Sequence, residues 1–423
     1  MHDFILKKVR IFYQASVLCF LPLLGLAEEP FSFDVSFGEK GIVTTSVSAF
    51  RDQGEMVVVR PDGKIFVAGV ADVKGKADWF LLSYHDNGTL DTSFGKNGIV
   101  RLDLGGQEGL FGMVLDSQNR IILGGFSEIN QKRDTALARL KPDGTLDESF
   151  GEKGIVSFDW GAQDEIHYLA LQQDGKIVAA GFRTFSHEKN LDSDGVVARY
   201  LENGTLDNSY GQNGLVIIEH NDMKLYGLAL DIEGRVVVTG SWGNPGFDDC
   251  VIVRLTIQGS LDPTFGLEGI QKIIGGPKQD TCSSVIVLPD QSIMVGGYFI
   301  SNREKSDSDW FVSFYRNNPT TNPLPFFREF EWDQEEDVDL IHALGVLPSG
   351  TPTVAGEARQ GNQSHFAVVK IEKTKQNLQL LETVGLQDAI PNSLFVDTQG
   401  RVVITGLIGK KIGTVRLFSG RSQ

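Results

Sequence analysis

The chain has 423 residues, of which 41% are hydrophobic and 22% are charged, and its formal net charge is −16. This apolar fraction is too high for a disordered chain. The 48 glycines come with only 14 prolines and no three-residue period, which excludes a collagen-like polymer. The acidic balance argues against a large nucleic-acid-binding surface, so we expect no nucleic-acid partner.

The N-terminal segment is typical of a secretory signal peptide. A basic stretch around Lys7 precedes an apolar run at 11–26, and Ala27 supplies the small residue of a cleavage site. We therefore predict a signal peptide at residues 1–27 and a single exported domain at 28–423. We expect it in the periplasm or outside the cell, without membrane insertion.

A short string that ends in glycine recurs seven times in the predicted mature chain. It reads DGKIFVAG in the first copy, DGKIVAAG in the third and QGRVVITG in the last. The copies lie about 56 residues apart and end at Gly69, Gly125, Gly181, Gly240, Gly297, Gly356 and Gly406. Periods of this length are typical of solenoids and propellers.

Each repeat contains four short runs rich in Val, Ile, Leu and Phe, separated by Asp-Gly, Asn-Gly or other glycine-containing turns. Such runs are typical of strands joined by hairpins. The second run is apolar throughout, as expected for a strand that is covered on both faces. We predict an all-β fold, a seven-bladed β-propeller of four-stranded blades.

The chain ends predict how this ring closes. A linker with the pattern LDxSFGxxGIV follows most of the repeats, and its GIV end is the outermost strand of a blade. A related piece lies at the N-terminus, at 33–43, whereas the last repeat stops after Leu417 without one. We predict that residues 37–45 complete the seventh blade, because this removes an unpaired sheet edge.

The linker and strand motifs resemble the bacterial delta-60 repeat. The resemblance rests on LDTSFGKNGIV with DTALARLKPDGTLD and on LDESFGEKGIV with DGVVARYLENGTLD. It covers nearly all of the mature chain and is specific for the first five units. The last two units depart from the pattern, since TTNPLPFFREFEW replaces the linker after the fifth. The resemblance implies a secreted or surface propeller and supplies no catalytic motif.

Two columns of the repeat alignment recur in most blades. An arginine on the third strand is predicted to hydrogen-bond from blade to blade, at Arg139, Arg199, Arg254 and Arg416. An acidic residue lies before the first strand, at Asp52, Glu108, Asp164, Asp280 and Asp339. These carboxylates would either ring one mouth of the central channel and attract a cation or a basic partner, or each would cap its own loop.

A third column varies between blades and is therefore the candidate ligand site. It comprises Glu55, Phe111, His167, Tyr226, Ser283, His342 and Asn392. A mixed polar set near the axis suits a binding pocket at the channel mouth where the first strands begin. We assign ligand binding to Glu55, His167, Tyr226 and His342, with Trp160 and Trp332 at the rim. The alternatives are histidines satisfied by backbone groups and tryptophans that pack their own loops. No metal site is predicted, because no contiguous ligand signature is present.

The mature chain has two cysteines, Cys250 on a third strand and Cys282 on a first strand of the next blade. Because a third strand lies two positions farther from the axis than a first strand, we predict two free, buried thiols and no disulfide.

The sequence contains no credible catalytic motif, so no catalytic residue and no cofactor are assigned. We expect a monomeric, non-catalytic binding propeller for a protein, peptide or glycan partner. The alternative is a hydrolase or lyase that acts on a glycan or lactone through the channel residues. An enzyme would need two convergent titratable groups in an open concave mouth.

Overall fold

The computed structural model describes residues 31–419 except 74, 188–189, 220–221, 244–247, 274–278, 301–307, 317–325, 331–339, 361–362, 374–377, 381–385 and 388. The predicted signal peptide and the site residues Trp332 and Asp339 lie outside the described residues. The described residues form strands and turns, and they include no helix that could cross a bilayer.

The strands form seven antiparallel sheets arranged as the blades of a propeller, which confirms the predicted fold class. Two N-terminal strands come first, β1 (Ser32–Phe33) and β2 (Ile42–Thr45). Blade 1 contains β3 (Asp52–Val59), β4 (Ile65–Val73), β5 (Lys76–Tyr84) and β6 (Ile99–Leu102). Blade 2 contains β7 (Gln107–Leu115), β8 (Ile121–Ile129), β9 (Lys132–Leu140) and β10 (Ile155–Phe158).

The next three blades repeat this order. Blade 3 contains β11 (Gln163–Leu171), β12 (Ile177–His187), β13 (Asn190–Tyr200) and β14 (Leu215–Ile218). Blade 4 contains β15 (Met223–Leu230), β16 (Val236–Trp242), β17 (Asp249–Leu255) and β18 (Ile270–Ile273). Blade 5 contains β19 (Asp280–Val287), β20 (Ser292–Ile300), β21 (Ser308–Arg316) and β22 (Phe326–Phe330).

The last two blades differ at their outer edge. Blade 6 contains β23 (Leu340–Val346), β24 (Pro352–Gln360) and β25 (Gln363–Lys373), and β25 pairs with two short pieces, β26 (Leu378–Leu380) and β27 (Leu386–Gln387). Blade 7 contains β28 (Ala389–Val396), β29 (Arg401–Ile408) and β30 (Lys411–Phe418). Both β1 and β2 pair with β30, so the predicted N-terminal closure of the ring is confirmed.

The hydrophobic core lies between the blades. Seven clusters of buried side chains occupy the seven interfaces, and each combines residues of two neighbouring blades. The interface of blades 7 and 1, for example, packs Val403 and Ile412 against Val57 and Phe80. This arrangement explains why the second strands are apolar on both faces, since each of them is covered by two neighbours.

The repeated arginine is buried and forms a clasp with the linker of its own blade, and the predicted hydrogen bond to the next blade is also present. Its Nε donates to the aspartate of the LDxSFG linker, in the pairs Arg139–Asp147, Arg199–Asp207, Arg254–Asp262 and Arg416–Asp34. Its guanidinium lies over the aromatic ring of the same linker, at Phe150, Tyr210, Phe265 or Phe37. Nη1 of Arg139, Arg199 and Arg416 also donates to a carbonyl of the next blade, that of Glu202, Ile257 and Asp86, respectively.

The prediction of two free thiols is wrong, because Cys250 and Cys282 form a disulfide with their Cα atoms 5.1 Å apart. The first strand of each blade packs against the second and third strands of the preceding blade. The distance between the two cysteine Cα atoms therefore depends on their positions along the strands, and not on how many strands separate each of them from the axis. Trp79 on β5 makes the equivalent contact three interfaces earlier in the ring, between blades 1 and 2, where its Nε1 donates to the carbonyl of Gly109 on β7 at 3.0 Å.

Candidate functional site

Every innermost strand carries a β-bulge, and the bulged residue is the variable residue of the sequence alignment. The register of each first strand skips one residue: Glu55, Phe111, His167, Tyr226, Ser283, His342 and Asn392. We call these seven residues the bulge ring. All seven are partly exposed, while most of their immediate neighbours are buried. A bulge leaves its residue unpaired in the sheet and changes the direction of its side chain. The residues of the bulge ring are therefore not required to pack between the blades, as the flanking residues are.

Blades 2 to 4 supply an aromatic half of the bulge ring. The Phe111 and His167 rings stack with their centroids 4.6 Å apart, and Tyr226 meets His167 edge-on at 5.5 Å. Phe182 on β12 lies behind them, 4.9 Å from His167. Contacts of this kind fix the ring planes relative to one another. The structure thus brings together two of the four predicted ligand-binding residues, His167 and Tyr226.

Blades 5, 6, 7 and 1 supply a polar half. Ser283 Oγ donates to the carbonyl of Ile341 in the next blade at 2.6 Å. Asn392 Nδ2 donates in the same direction around the ring, to the carbonyl of Gly54 at 2.9 Å. These bonds hold the bulge ring together across two interfaces. His342 and Glu55 each lie next to one of these bonds.

Burial changes the titration of both of these residues. It lowers the pKa of His342 to about 4, against the opposing attraction of Glu357, whose Oε2 lies 3.9 Å from Nε2. The Nε2 atom is buried and has no hydrogen-bond partner among the described residues. Burial raises the pKa of Glu55 to about 7, although Arg51 opposes the shift. At neutral pH the polar half therefore offers a neutral imidazole and a carboxyl group that is about half protonated.

A charged chain of contacts orients His167. Its Nε2 lies 3.0 Å from Glu165 Oε2, and Arg133 of the preceding blade forms an ion pair with the other oxygen of that carboxylate. Burial alone would raise the pKa of Glu165, but these contacts with His167 and Arg133 hold it below its ordinary value. Glu165 and Arg133 were missed in the sequence analysis. Their contacts cross from one blade to the next, so no single repeat contains both residues.

The acidic column does not form an exposed rim. Asp52, Glu108, Asp164 and Asp280 are all buried. Asp52 accepts from the amide of Val47 at 2.6 Å, Asp164 from that of Trp160 at 2.5 Å and Glu108 from that of Gly106 at 2.7 Å. These three carboxylates therefore cap their own loops, which was the alternative interpretation. Asp339 lies outside the described residues.

Trp160 is a core residue, contrary to its predicted place at the rim. It is 3% exposed and packs at the interface of blades 2 and 3 with Ile122, Phe150 and Ile166. An indole with so little free surface cannot stack on a ligand, so the loop-packing interpretation holds here. Trp332, in the equivalent loop, lies outside the described residues.

A cavity lies at the end of the channel opposite to the predicted one. It has a volume of about 560 Å³ and is lined by residues that follow the bulge, including Met56, Met113, Tyr168, Leu169 and Phe395. The turns after the first strands, with Pro61 and Asn119, form its edge. A volume of this size with apolar walls is typical of small-molecule sites. The prediction placed the opening where the first strands begin, whereas this cavity opens where they end.

Three segments of the chain match a known family model, at residues 60–94, 119–150 and 172–210. The family is described as "Domain of unknown function (DUF5122) beta-propeller". The matched segments cover about a quarter of the chain and fall in blades 1 to 3 and their linkers. We found no match among curated proteins.

Solved structures with a similar arrangement include proteins of several kinds. The WD40 β-propeller domain of Doa1 is 14% identical, with 88% of this chain and 94% of that chain covered and a TM-score of 0.49. A polysaccharide lyase of family PL25, ulvan lyase, is 12% identical, with 89% of this chain and 98% of that chain covered and a TM-score of 0.47. A putative glucose dehydrogenase from Thermus thermophilus is 12% identical, with 89% of this chain and 100% of that chain covered and a TM-score of 0.42. Similarity at this level says nothing about function. The three matched segments are thus similar to the repeats of a β-propeller family.

Proposed function

We propose that this protein is a non-catalytic binding propeller that takes its ligand in the central channel at the bulge ring. The observation that carries the proposal is the ring itself. Seven equivalent backbone positions are released from strand pairing, and seven neighbouring blades fill them with residues of different chemistry. A residue with a purely structural duty would be expected to repeat, as the clasp arginines do.

The composition of the ring supports a ligand with one apolar face and one polar edge. The aromatic half, with Phe111 stacked on His167 and Tyr226 edge-on to it, suits the flat face of a sugar or an aromatic side chain. Glu55, Asn392 and His342 can orient hydroxyl or amide groups on the opposite side. Since Glu55 is partly ionised near neutral pH, the site favours neutral or cationic ligands over anionic ones. The apolar cavity below the ring provides room for the rest of the ligand.

Export remains part of the proposal and has independent support. The Cys250–Cys282 disulfide suits an oxidising compartment such as the periplasm or the cell exterior, and the basic and apolar N-terminal segment suits secretion. The delta-60 resemblance implies the same location. Cell fractionation, with N-terminal sequencing of the product, tests this part. Cleavage after Ala27 is the expected result.

The binding proposal is tested on glycan and peptide arrays, followed by affinity measurements with the ligand that is captured. We expect the double substitution His167→Ala with His342→Ala to weaken binding by at least about tenfold, because it removes one aromatic and one polar contact. His85→Ala is the matched control, since the His85 side chain is 50% exposed in a turn after β5. Unchanged affinity in a folded double variant contradicts the proposal.

A hydrolase or lyase is the second candidate, and the pKa of about 7 for Glu55 favours it. Such an enzyme needs a second titratable group near the first, but no hydrogen bond or ion pair joins Glu55 to His342 within the described part of the chain. Incubation of the captured ligand with the protein distinguishes the two functions. Product that forms with the natural chain and disappears with Glu55→Gln would indicate an enzyme.

A further inference from the structure

Three carboxylates from two blades converge at the interface of blades 1 and 2. Asp78 lies on β5, Asp103 directly follows β6, and Glu108 lies on β7 of the next blade. One oxygen of each lies within 4.8 Å of one oxygen of both others. Asp103 is exposed, so the group has a side open to solvent.

Glu108, which belongs to this group, has one carboxylate oxygen without a hydrogen-bond partner among the described residues. Its residue is only 2% exposed, and its Oε1 accepts from the amide of Gly106 and from Ser127 Oγ. Its Oε2 is buried and has no hydrogen-bond partner among the described residues. A buried anionic oxygen without a partner is costly. Burial and the neighbouring Asp78 and Asp103 carboxylates raise the pKa of Glu108, although the Gly106 amide opposes the shift.

The same arrangement occurs one blade further on, where it already holds a cation. Asp134, Asp159 and Asp164 lie 56 residues after Asp78, Asp103 and Glu108, and they meet the same distance criterion. The ammonium group of Lys132 lies 2.7 Å from Asp159 Oδ2 and 3.1 Å from Asp134 Oδ1. The second group thus shows that a positive charge fits this point of the interface.

The first group has no such ammonium. Lys76 corresponds to Lys132 in the repeat, but it forms no ion pair with any described residue. Lys76 and Arg101 attract the Asp78 carboxylate and oppose the rise that burial causes in its pKa, but no ion pair joins either cation to the three carboxylates among the described residues. The first group therefore lacks a compensating charge at contact distance. An ion from solution can supply that charge, and the exposed Asp103 leaves a path for it.

We propose that Asp78, Asp103 and Glu108 bind a calcium ion between blades 1 and 2. The donors are carboxylate oxygens alone, which suits a hard divalent cation, and no histidine or cysteine is present to favour zinc. Calcium tolerates irregular geometry and completes its shell with water on an open side, whereas magnesium demands a near-ideal octahedron. The bound ion would hold the third strand of one blade to the first strand of the next, a junction that a disulfide makes between blades 4 and 5.

The test is calcium titration of the chelator-treated mature protein by isothermal calorimetry, with magnesium as the comparison ion. We expect one calcium ion per chain with a dissociation constant of about 10⁻⁴–10⁻³ M, as in extracellular modules, and weaker magnesium binding. Asp103→Asn removes one charge at an exposed position and should weaken calcium binding at least tenfold. Glu108→Gln retains an acceptor for the Gly106 amide and should do the same.

Asp159→Asn is the matched control, since its group is occupied by Lys132, and it should leave the calcium affinity unchanged. Lys132→Gln should raise the stoichiometry from one ion to two, because it leaves the second group without its ammonium. The proposal is overturned if the natural chain binds no calcium at millimolar concentration. It is also overturned if Asp103→Asn binds calcium as tightly as the natural chain does.

Discussion

Arg416 and Asp34 are 382 residues apart in the chain, yet Arg416 Nε donates to Asp34 Oδ2 at 2.6 Å. Both side chains are only 1% exposed. Arg416 lies on β30 and Asp34 directly follows β1, so this pair joins the last blade to the N-terminal segment. It is the same clasp that Arg139, Arg199 and Arg254 form within the chain, but here it closes the ring.

The first prediction concerns this closing pair. Asp34→Ala should lower the free energy of unfolding by about 3–5 kcal/mol, because it leaves a buried guanidinium without its partner. Asp62→Ala, which breaks the pair of Arg60 with the half-exposed Asp62, should cost no more than about 1 kcal/mol. Urea unfolding monitored by fluorescence measures both. Equal effects of the two substitutions would show that the pair does not hold the ring closed.

Removal of the whole closing segment is a second and stronger test. A chain without residues 31–45 loses both β1 and β2 and leaves the edge of β30 unpaired. We expect a lower melting temperature and a tendency to self-associate through this edge. Thermal melts and light scattering measure the two effects. A truncated chain that melts at the same temperature as the full mature protein and stays monomeric would contradict the closure.

The third prediction is acid sensitivity of the clasps. Burial alone would raise the pKa of Asp34, Asp147, Asp207 and Asp262, but hydrogen bonds from the neighbouring Ser or Thr and from arginine hold it below its ordinary value. Asp91, which bonds Lys64 and Ser93 in blade 1, has a pKa of about 2. A carboxyl group with a lowered pKa in the folded state stabilises the fold above its unfolded pKa near 4 and loses this effect as the pH falls toward 2. Urea midpoints measured from pH 5 to pH 2 should fall steeply, and a flat profile would contradict the clasp.

The architecture was predictable because each repeat contains the residues that its own turns and strands require. Asn87, for example, accepts from the amide of Thr89, and Gly88 adopts a φ of +84°, as the NGT turn of the linker requires. Seven copies of such a unit leave few alternatives to a closed ring, and the split linker predicted which end closes it. The variable column of the alignment coincides with the bulge ring, but the bulge itself has no signature in the sequence and was not predicted.

What the sequence did not reveal lies between blades. Glu165 becomes relevant only because Arg133 of the preceding blade and His167 converge on it. The burial of Trp160 depends on side chains of blade 2, and the pairing of Cys250 with Cys282 depends on the offset of two stacked sheets. A repeat alignment shows what the blades share and gives no distance between them.

The disulfide gives a fourth prediction. It closes a segment with a sequence separation of 32, so its reduction should lower the free energy of unfolding by about 2–4 kcal/mol. Urea unfolding with and without a thiol reductant measures the change, and the double substitution Cys250→Ala with Cys282→Ala should be insensitive to reductant. The oxidised protein should also be lighter than the reduced protein by two hydrogen atoms. Two titratable thiols in the unfolded, unreduced chain would contradict the bond.

The last prediction concerns Asp164, which is fully buried between blades 2 and 3. Burial raises its pKa to about 7, and the nearby Asp159 and Asp134 add to the shift, while the Trp160 amide opposes it. Because the folded pKa lies above the unfolded value near 4, the folded state holds the proton more tightly, and stability falls as the pH rises from about 4 to 7.

Asp164→Asn removes the loss of stability that ionisation of the buried carboxyl group causes as the pH rises. The amide keeps an oxygen for the Trp160 N–H and turns its NH₂ toward the carboxylates of Asp159 and Asp134. Relative to the natural chain, the variant should gain on the order of 1 kcal/mol or more in free energy of unfolding at pH 8, and nothing at pH 4. Asp159→Asn, at an exposed position with a pKa held low by Lys132, should show no such gain at pH 8. Urea unfolding at both pH values in the presence of a chelator measures the difference, and an equal effect of Asp164→Asn at pH 4 and pH 8 would mean that the carboxyl group does not titrate in this range.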